Sequence, residues 1–89
     1  MVRKRVYYSG RVQGVGFRYT AVRISQNHKV SGYVRNMMDG RVEMVAQGAE
    51  AEVERFLDEL AEVMGSCIRE VRVQDEECAE KLVGFDIRF

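Results

Sequence analysis

The 89-residue chain has no proline and no tryptophan, one histidine and two cysteines. So few His and Cys exclude a Cys/His metal cluster, and no hydrolase serine motif is present, so neither a metal site nor a cofactor is expected. No apolar run approaches the ~20 residues of a membrane span, and the basic start Arg3-Lys4-Arg5 leads into Tyr7, Tyr8 and Ser9, too polar for a secretory leader. A soluble cytoplasmic chain follows as the expectation. Repeats, linkers and low-complexity segments are missing too, so residues 1–89 read as one domain, and 46% hydrophobic residues suffice for a core at this length. Cys67 and Cys78 would stand ~36 Å apart along a mostly extended segment at ~3.3 Å per residue, beyond disulfide reach, and read as free thiols. Acid is missing from residues 1–38, which hold eight of the fourteen Lys/Arg, although the net charge of the whole chain is zero. Such asymmetry draws a small anion towards the first half, and is equally compatible with a nucleic-acid surface or with two halves that attract each other.

What is present is glycine at a telling spacing. Gly10-Arg11-Val12-Gln13-Gly14-Val15-Gly16-Phe17-Arg18 leaves an alternating stretch and opens a helical one. Gln13, Gly14, Val15, Gly16 and Phe17 form a loop that can aim successive backbone N–H groups into one hollow, to which a helix start adds unpaired N–H groups and a positive dipole end. Arg18 brings a two-pronged, permanently charged donor, the geometry a phosphoryl group asks for. The spacing is neither the dinucleotide fingerprint nor a P-loop, since no Gly-Lys-Ser/Thr follows, and by itself it also fits a plain strand-to-helix turn with a surface arginine.

Periodicity sets the remaining elements. Residues 3–9 alternate, with Val6 and Tyr8 on one face, as a half-buried strand does. Phe17, Ala21, Ile24 and His28 make one stripe of a helix running to about residue 28. His28, with no carboxylate near it in sequence, reads as a packed or half-exposed side chain and not a catalyst. Residues 30–37 form a second strand, Asp39-Gly40 a tight hairpin, and residues 41–47 a third strand with Val42, Met44 and Ala46 inward. Residues 49–64 repeat Val53, Phe56, Leu57, Leu60 and Met64, an amphipathic helix that Gly65 follows. Residues 68–74 read as a fourth strand, 75–81 as a charged connection, and Phe85, Ile87 and Phe89 as a short fifth. The order βαββαβ plus a terminal strand predicts an α+β sandwich with both helices on one face of an antiparallel sheet. A strand-helix-strand crossover points strands one and two the same way with strand three between them, so Arg18 and Asn36 should meet at one sheet edge.

Two motifs together, Val12-Gln13-Gly14-Val15 with Phe17-Arg18, and Gly32-Tyr33-Val34-Arg35-Asn36 with Asp39-Gly40-Arg41-Val42 and Gly48, closely resemble the acylphosphatase family over nearly the whole chain. The resemblance implies a ferredoxin-like fold, hydrolysis of small acyl phosphates to carboxylate and phosphate, Arg18 as phosphate binder and Asn36 as the residue that positions water. The chemistry is consistent with so spare a site. The departing carboxylate has a pKa of about 4 and needs no protonation, so charge stabilisation and alignment remain, and a backbone cradle with one arginine can bind the phosphoryl oxygens without metal. Asn36 is not basic, but its amide can hold a water in line while a substrate oxygen takes the proton. A monomer that binds acyl phosphate and phosphate, with no nucleic-acid or membrane partner, is expected.

Two positions depart from the family. Met37 stands where a hydroxyl residue is common after the asparagine. Lys29 replaces a glycine that usually closes the first helix, which predicts either a strained left-handed Lys29 or an early end at a left-handed Asn27. The rival readings are a non-catalytic acyl- or carbamoyl-phosphate-binding module and an RNA-binding domain of the same element order, the latter opposed by the placement of Gly14-Val15-Gly16-Phe17 in a loop rather than on a central strand.

Overall fold

The computed structural model describes Met1–Phe89. Its elements are β1 (Val2–Gly10), α1 (Phe17–Ser25), β2 (Val30–Asn36), β3 (Val42–Gly48), α2 (Glu50–Met64), β4 (Ile68–Glu76) and β5 (Phe85–Arg88), with a short 3-10 turn, Gly65–Cys67, between α2 and β4. The sheet order is β4-β1-β3-β2-β5. β3 lies antiparallel between β1 and β2, with Val6 opposite Met44 and Val34 opposite Met44 on its other side, as the crossover requires. β4 is antiparallel to β1, whereas β5 runs parallel to β2, with Val34 opposite Ile87, so the sheet is mixed and not wholly antiparallel. The reason is directional: after β4 the chain crosses to the far edge and turns back along β2.

Both helices cover one face. Phe17, Ala21 and Ile24 of α1 and Val53, Phe56, Leu60 and Met64 of α2 close over Val6, Tyr8, Val34, Val42, Met44 and Ala46, whose alternation along the strands delivers them to this face. Phe56 meets Phe85 edge-on with ring centroids 5.2 Å apart, and Tyr8 lies against Phe17 at 4.8 Å.

The other face carries no helix, yet β3 is buried on both sides. Its cover is ionic. Glu43 on β3 accepts from Arg35 Nε on β2 at 2.6 Å and pairs with Arg5 on β1 at 3.0 Å, and Arg5 reaches on to Glu76 on β4, which also pairs with Arg3. Arg88 on β5 lies 3.8 Å from the Tyr33 ring centroid. β4 outruns its expected end because its last residues find partners on β1: Glu76, opposite Arg3, joins this cover, and Asp75, opposite Lys4 with their side chains 2.6 Å apart, pairs on the helix-bearing face.

Two helix ends differ from expectation. α1 stops at Ser25, short of residue 28, because the N–H groups of Gln26, Asn27 and His28 donate to carbonyls three residues back and tighten the chain into turns. No non-glycine residue has positive φ, so neither Lys29 nor Asn27 is left-handed. The Lys29 N–H donates to Glu52 Oε1 at 3.0 Å, and the close approach that calls for glycine falls on Gly48, where a Cβ would lie 2.7 Å from the Lys29 carbonyl oxygen. Gly65 does follow α2, but in the right-handed region (φ −54, ψ −36), leading into the 3-10 turn.

Candidate active site

Gly14 and Gly16 adopt φ of 76 and 79, the left-handed region where a Cβ is penalised, and a Cβ at either would meet only open space. These glycines therefore serve the curvature of the loop rather than a tight contact. The N–H groups of Gly14, Val15 and Gly16 donate to no backbone acceptor, and α1 begins at once with its own unpaired N–H groups. Beside them opens a hollow of about 300 Å³ lined by Val12, Gly14, Gly16, Phe17, Arg18, Tyr19 and Asn36.

Arg18 occupies the first turn of α1, where no acidic residue accompanies it. A cation there opposes the helix dipole by about 0.3–1 kcal/mol, a cost that an anion in the hollow would reverse. Its guanidinium is partnered by no carboxylate; Cζ sits 5.1 Å from the ring centroid of Phe89, itself fully exposed. Asn36 closes β2 at the same edge, and its Oδ1 is buried without a hydrogen-bond partner. The structure thus brings Gly14, Gly16, Phe17, Arg18 and Asn36 to one hollow, while Val15 points outward, 38% exposed.

Gln13 does more than contribute backbone. Its Nε2 donates to the carbonyls of Met37 at 2.8 Å and Arg41 at 2.9 Å, clamping the loop to the β2–β3 hairpin. That hairpin is held by Met37 N donating to Arg41 O at 2.8 Å and by Asp39, which accepts from the Arg41 backbone N–H and side chain and is held below the usual carboxylate range by them. The clamp and the Phe89 contact were not readable beforehand, because both join residues far apart in the chain.

His28 lies at the other end of α1. The fold supplies the carboxylates its sequence neighbourhood lacks: Glu59 Oε1 is 2.8 Å from Nε2 and Glu52 Oε1 4.0 Å from Nδ1, both from α2. With its ring 6.0 Å from that of Phe56, His28 ties α1 to α2. Cys67 and Cys78 are free thiols. No three His, Cys, Asp or Glu side chains converge as a metal site would require. A larger hollow, about 580 Å³, opens at the opposite end of the sheet beside Met1, Lys29 and Gly48; it is mostly apolar and holds none of the loop's donors.

The acylphosphatase family model matches residues 4–87. This chain belongs to the acylphosphatase family. An acylphosphatase of Trichormus variabilis is 40% identical over 89 residues, covering 99% of this chain and 87% of that one. The crystal structure of acylphosphatase from Bacillus subtilis superposes with a TM-score of 0.89 at 31% identity, covering all of both chains. The structure of HypF from T. kodakarensis contains a similar unit (TM-score 0.86, 27% identity) that spans all of this chain but 12% of that one. As an acylphosphatase-family member the chain is a hydrolase with two helices on one face of a five-stranded sheet, and no helix is long and apolar enough to cross a membrane.

Proposed function

We infer that the chain hydrolyses small acyl phosphates to carboxylate and inorganic phosphate, without a metal, in the hollow between the loop and Asn36. The observation that carries the reading is the convergence of free loop N–H groups, an arginine with no counter-charge, and an amide oxygen with no partner. The phosphoryl oxygens take the N–H groups of Gly14 to Phe17 and the Arg18 guanidinium, which gather the charge that builds as the P–O bond lengthens. Asn36 Oδ1 accepts from the attacking water and holds it in line, and the departing carboxylate needs no proton. A substrate oxygen receives the proton that the water loses. Gln13 contributes by fixing the loop against the hairpin that carries Asn36.

The reading is of a monomer, and its free thiols suit a reducing cytoplasm. An RNA-binding reading is disfavoured because the helix-free face holds Tyr33 under Arg88 and Tyr7 under Arg41 at 4.8 Å, leaving no open aromatic platform. The second reading is a non-catalytic acyl- or carbamoyl-phosphate-binding module, since a similar unit occurs as 12% of a longer chain in HypF. The experiment is benzoyl phosphate hydrolysis in excess chelator. Turnover is expected in chelator, with Asn36→Ala lowering kcat by about a hundredfold while phosphate still binds, because only the water is misplaced. Binding of phosphate without turnover would favour the second reading, and activity lost to chelator and restored by magnesium would overturn the metal-free mechanism.

A further inference from the structure

A second cationic hollow adjoins the first. In the β1–β4 ladder Ser9 pairs with Glu70 and Gly10 with Ile68, so Arg69 is the extra residue of a bulge. A bulge breaks the alternation of the strand and re-aims the side chain it carries. Here Arg69 joins Arg11, whose backbone N–H donates to the Cys67 carbonyl at 2.9 Å, in lining a polar hollow of about 200 Å³ together with Ser66. Neither guanidinium is in an ion pair or a ring contact, whereas the next acid along, Glu70, is directed to Arg72 at 3.9 Å. Two like charges beside one hollow repel, and an anion between them converts that repulsion into two charge-assisted hydrogen bonds, with the Ser66 hydroxyl as a further donor. Arg11 is also the chain neighbour of Val12, which lines the loop hollow, so consecutive residues border the two hollows.

We propose that Arg11, Arg69 and Ser66 form a subsite for a second anionic group on the acyl chain, so that acyl phosphates ending in a distal carboxylate are preferred over those ending in a methyl group. The proposal rests on the hydrolase reading of the Arg18 and Asn36 hollow for its kinetics, but its binding can be read without turnover. Succinyl phosphate and butyryl phosphate have acyl chains of equal length and differ at the distal carboxylate. The wild-type chain should favour succinyl phosphate in kcat/KM by about three- to tenfold, mostly through KM, and this ratio should shrink at high salt. Arg69→Gln should bring the ratio towards one, and Arg69→Lys should restore part of it. A wild-type ratio of one, or a ratio unmoved in Arg69→Gln, would overturn the subsite.

The companion measurement titrates the non-hydrolysable succinyl and butyryl phosphonates and follows backbone amide shifts. Succinyl phosphonate should move the amides of Gly14 and Gly16 and those of Arg11, Ser66 and Arg69, and butyryl phosphonate only the first group. Both sets moving with no hydrolysis of either acyl phosphate would leave the subsite standing and sink the catalytic reading. Shifts confined to the loop for both phosphonates, or absent for both, would sink the subsite.

Discussion

Charge is handled in opposite ways on the helix-free face of the sheet and at its loop end. On the face, Glu43 lies between Arg5 and Arg35, and Arg5 is shared with Glu76, so the guanidinium groups meet carboxylates across adjacent strands. At the loop end, Arg11, Arg18 and Arg69 have no carboxylate partner, and Arg18 sits at the unfavourable pole of a helix. The residue types are the same. Paired charges lock strand to strand, whereas unpaired ones make a positive field whose natural partner is an anion from solution.

The sharpest break of that comparison is Arg18→Ala. We expect kcat/KM for benzoyl phosphate to fall by about a thousandfold, phosphate binding to weaken, and the urea midpoint to stay level or rise slightly, since a cation is removed from a helix N-terminus. A folded variant with wild-type turnover would remove Arg18 from the site. Glu43→Ala should behave inversely. Its carboxylate is nearly buried, 6% exposed, but Arg35 at 44% and Arg5 at 20% can be rehydrated in part, which places the loss at about 2–3 kcal/mol, measured by urea unfolding, with activity retained in the folded protein.

Acid should weaken the paired face. Burial pushes the Glu43 carboxyl up, but the Arg35 hydrogen bond and the Arg35 and Arg5 charges outweigh it; Glu76 is lowered chiefly by its Arg5 hydrogen bond. Groups whose folded pKa lies below the unfolded value of 4.5 contribute stability that is complete above that pH and disappears as pH falls through the folded values. Unfolding free energy should therefore drop below pH 4.5, and the drop should be shallower in Glu43→Gln. An identical acid profile in wild type and variant would deny Glu43 its part.

The smallest effect expected is at Lys29. Since its φ is not positive, Lys29→Gly relieves no strain and only loosens the unfolded chain, a loss of about 0.5–1 kcal/mol with catalysis unaltered. A gain in stability would reinstate the left-handed geometry that the family's glycine suggested.

The sequence by itself determined what is local. The left-handed demand of a loop spaced Gly14-Val15-Gly16, the 3.6-residue stripe Val53, Phe56, Leu60, Met64, and the alternation that places Val6 and Tyr8 inward are all set within a few residues by backbone sterics and burial. The shared edge of Arg18 and Asn36 was legible too, because the handed crossover that joins parallel strands leaves little choice of where β2 ends. Tertiary structure decided what depends on which distant residues become neighbours. Arg5 and Glu76 are 71 positions apart, Gln13 and Arg41 28, and His28 and Glu59 31, and nothing in their local patterns marks them as partners. The parallel entry of β5, the arrival of Phe89 over Arg18 and the bulge that turns out Arg69 belong to the same class. Periodicity reports the face on which a side chain lies; only the packed sheet reports which side chain it meets there.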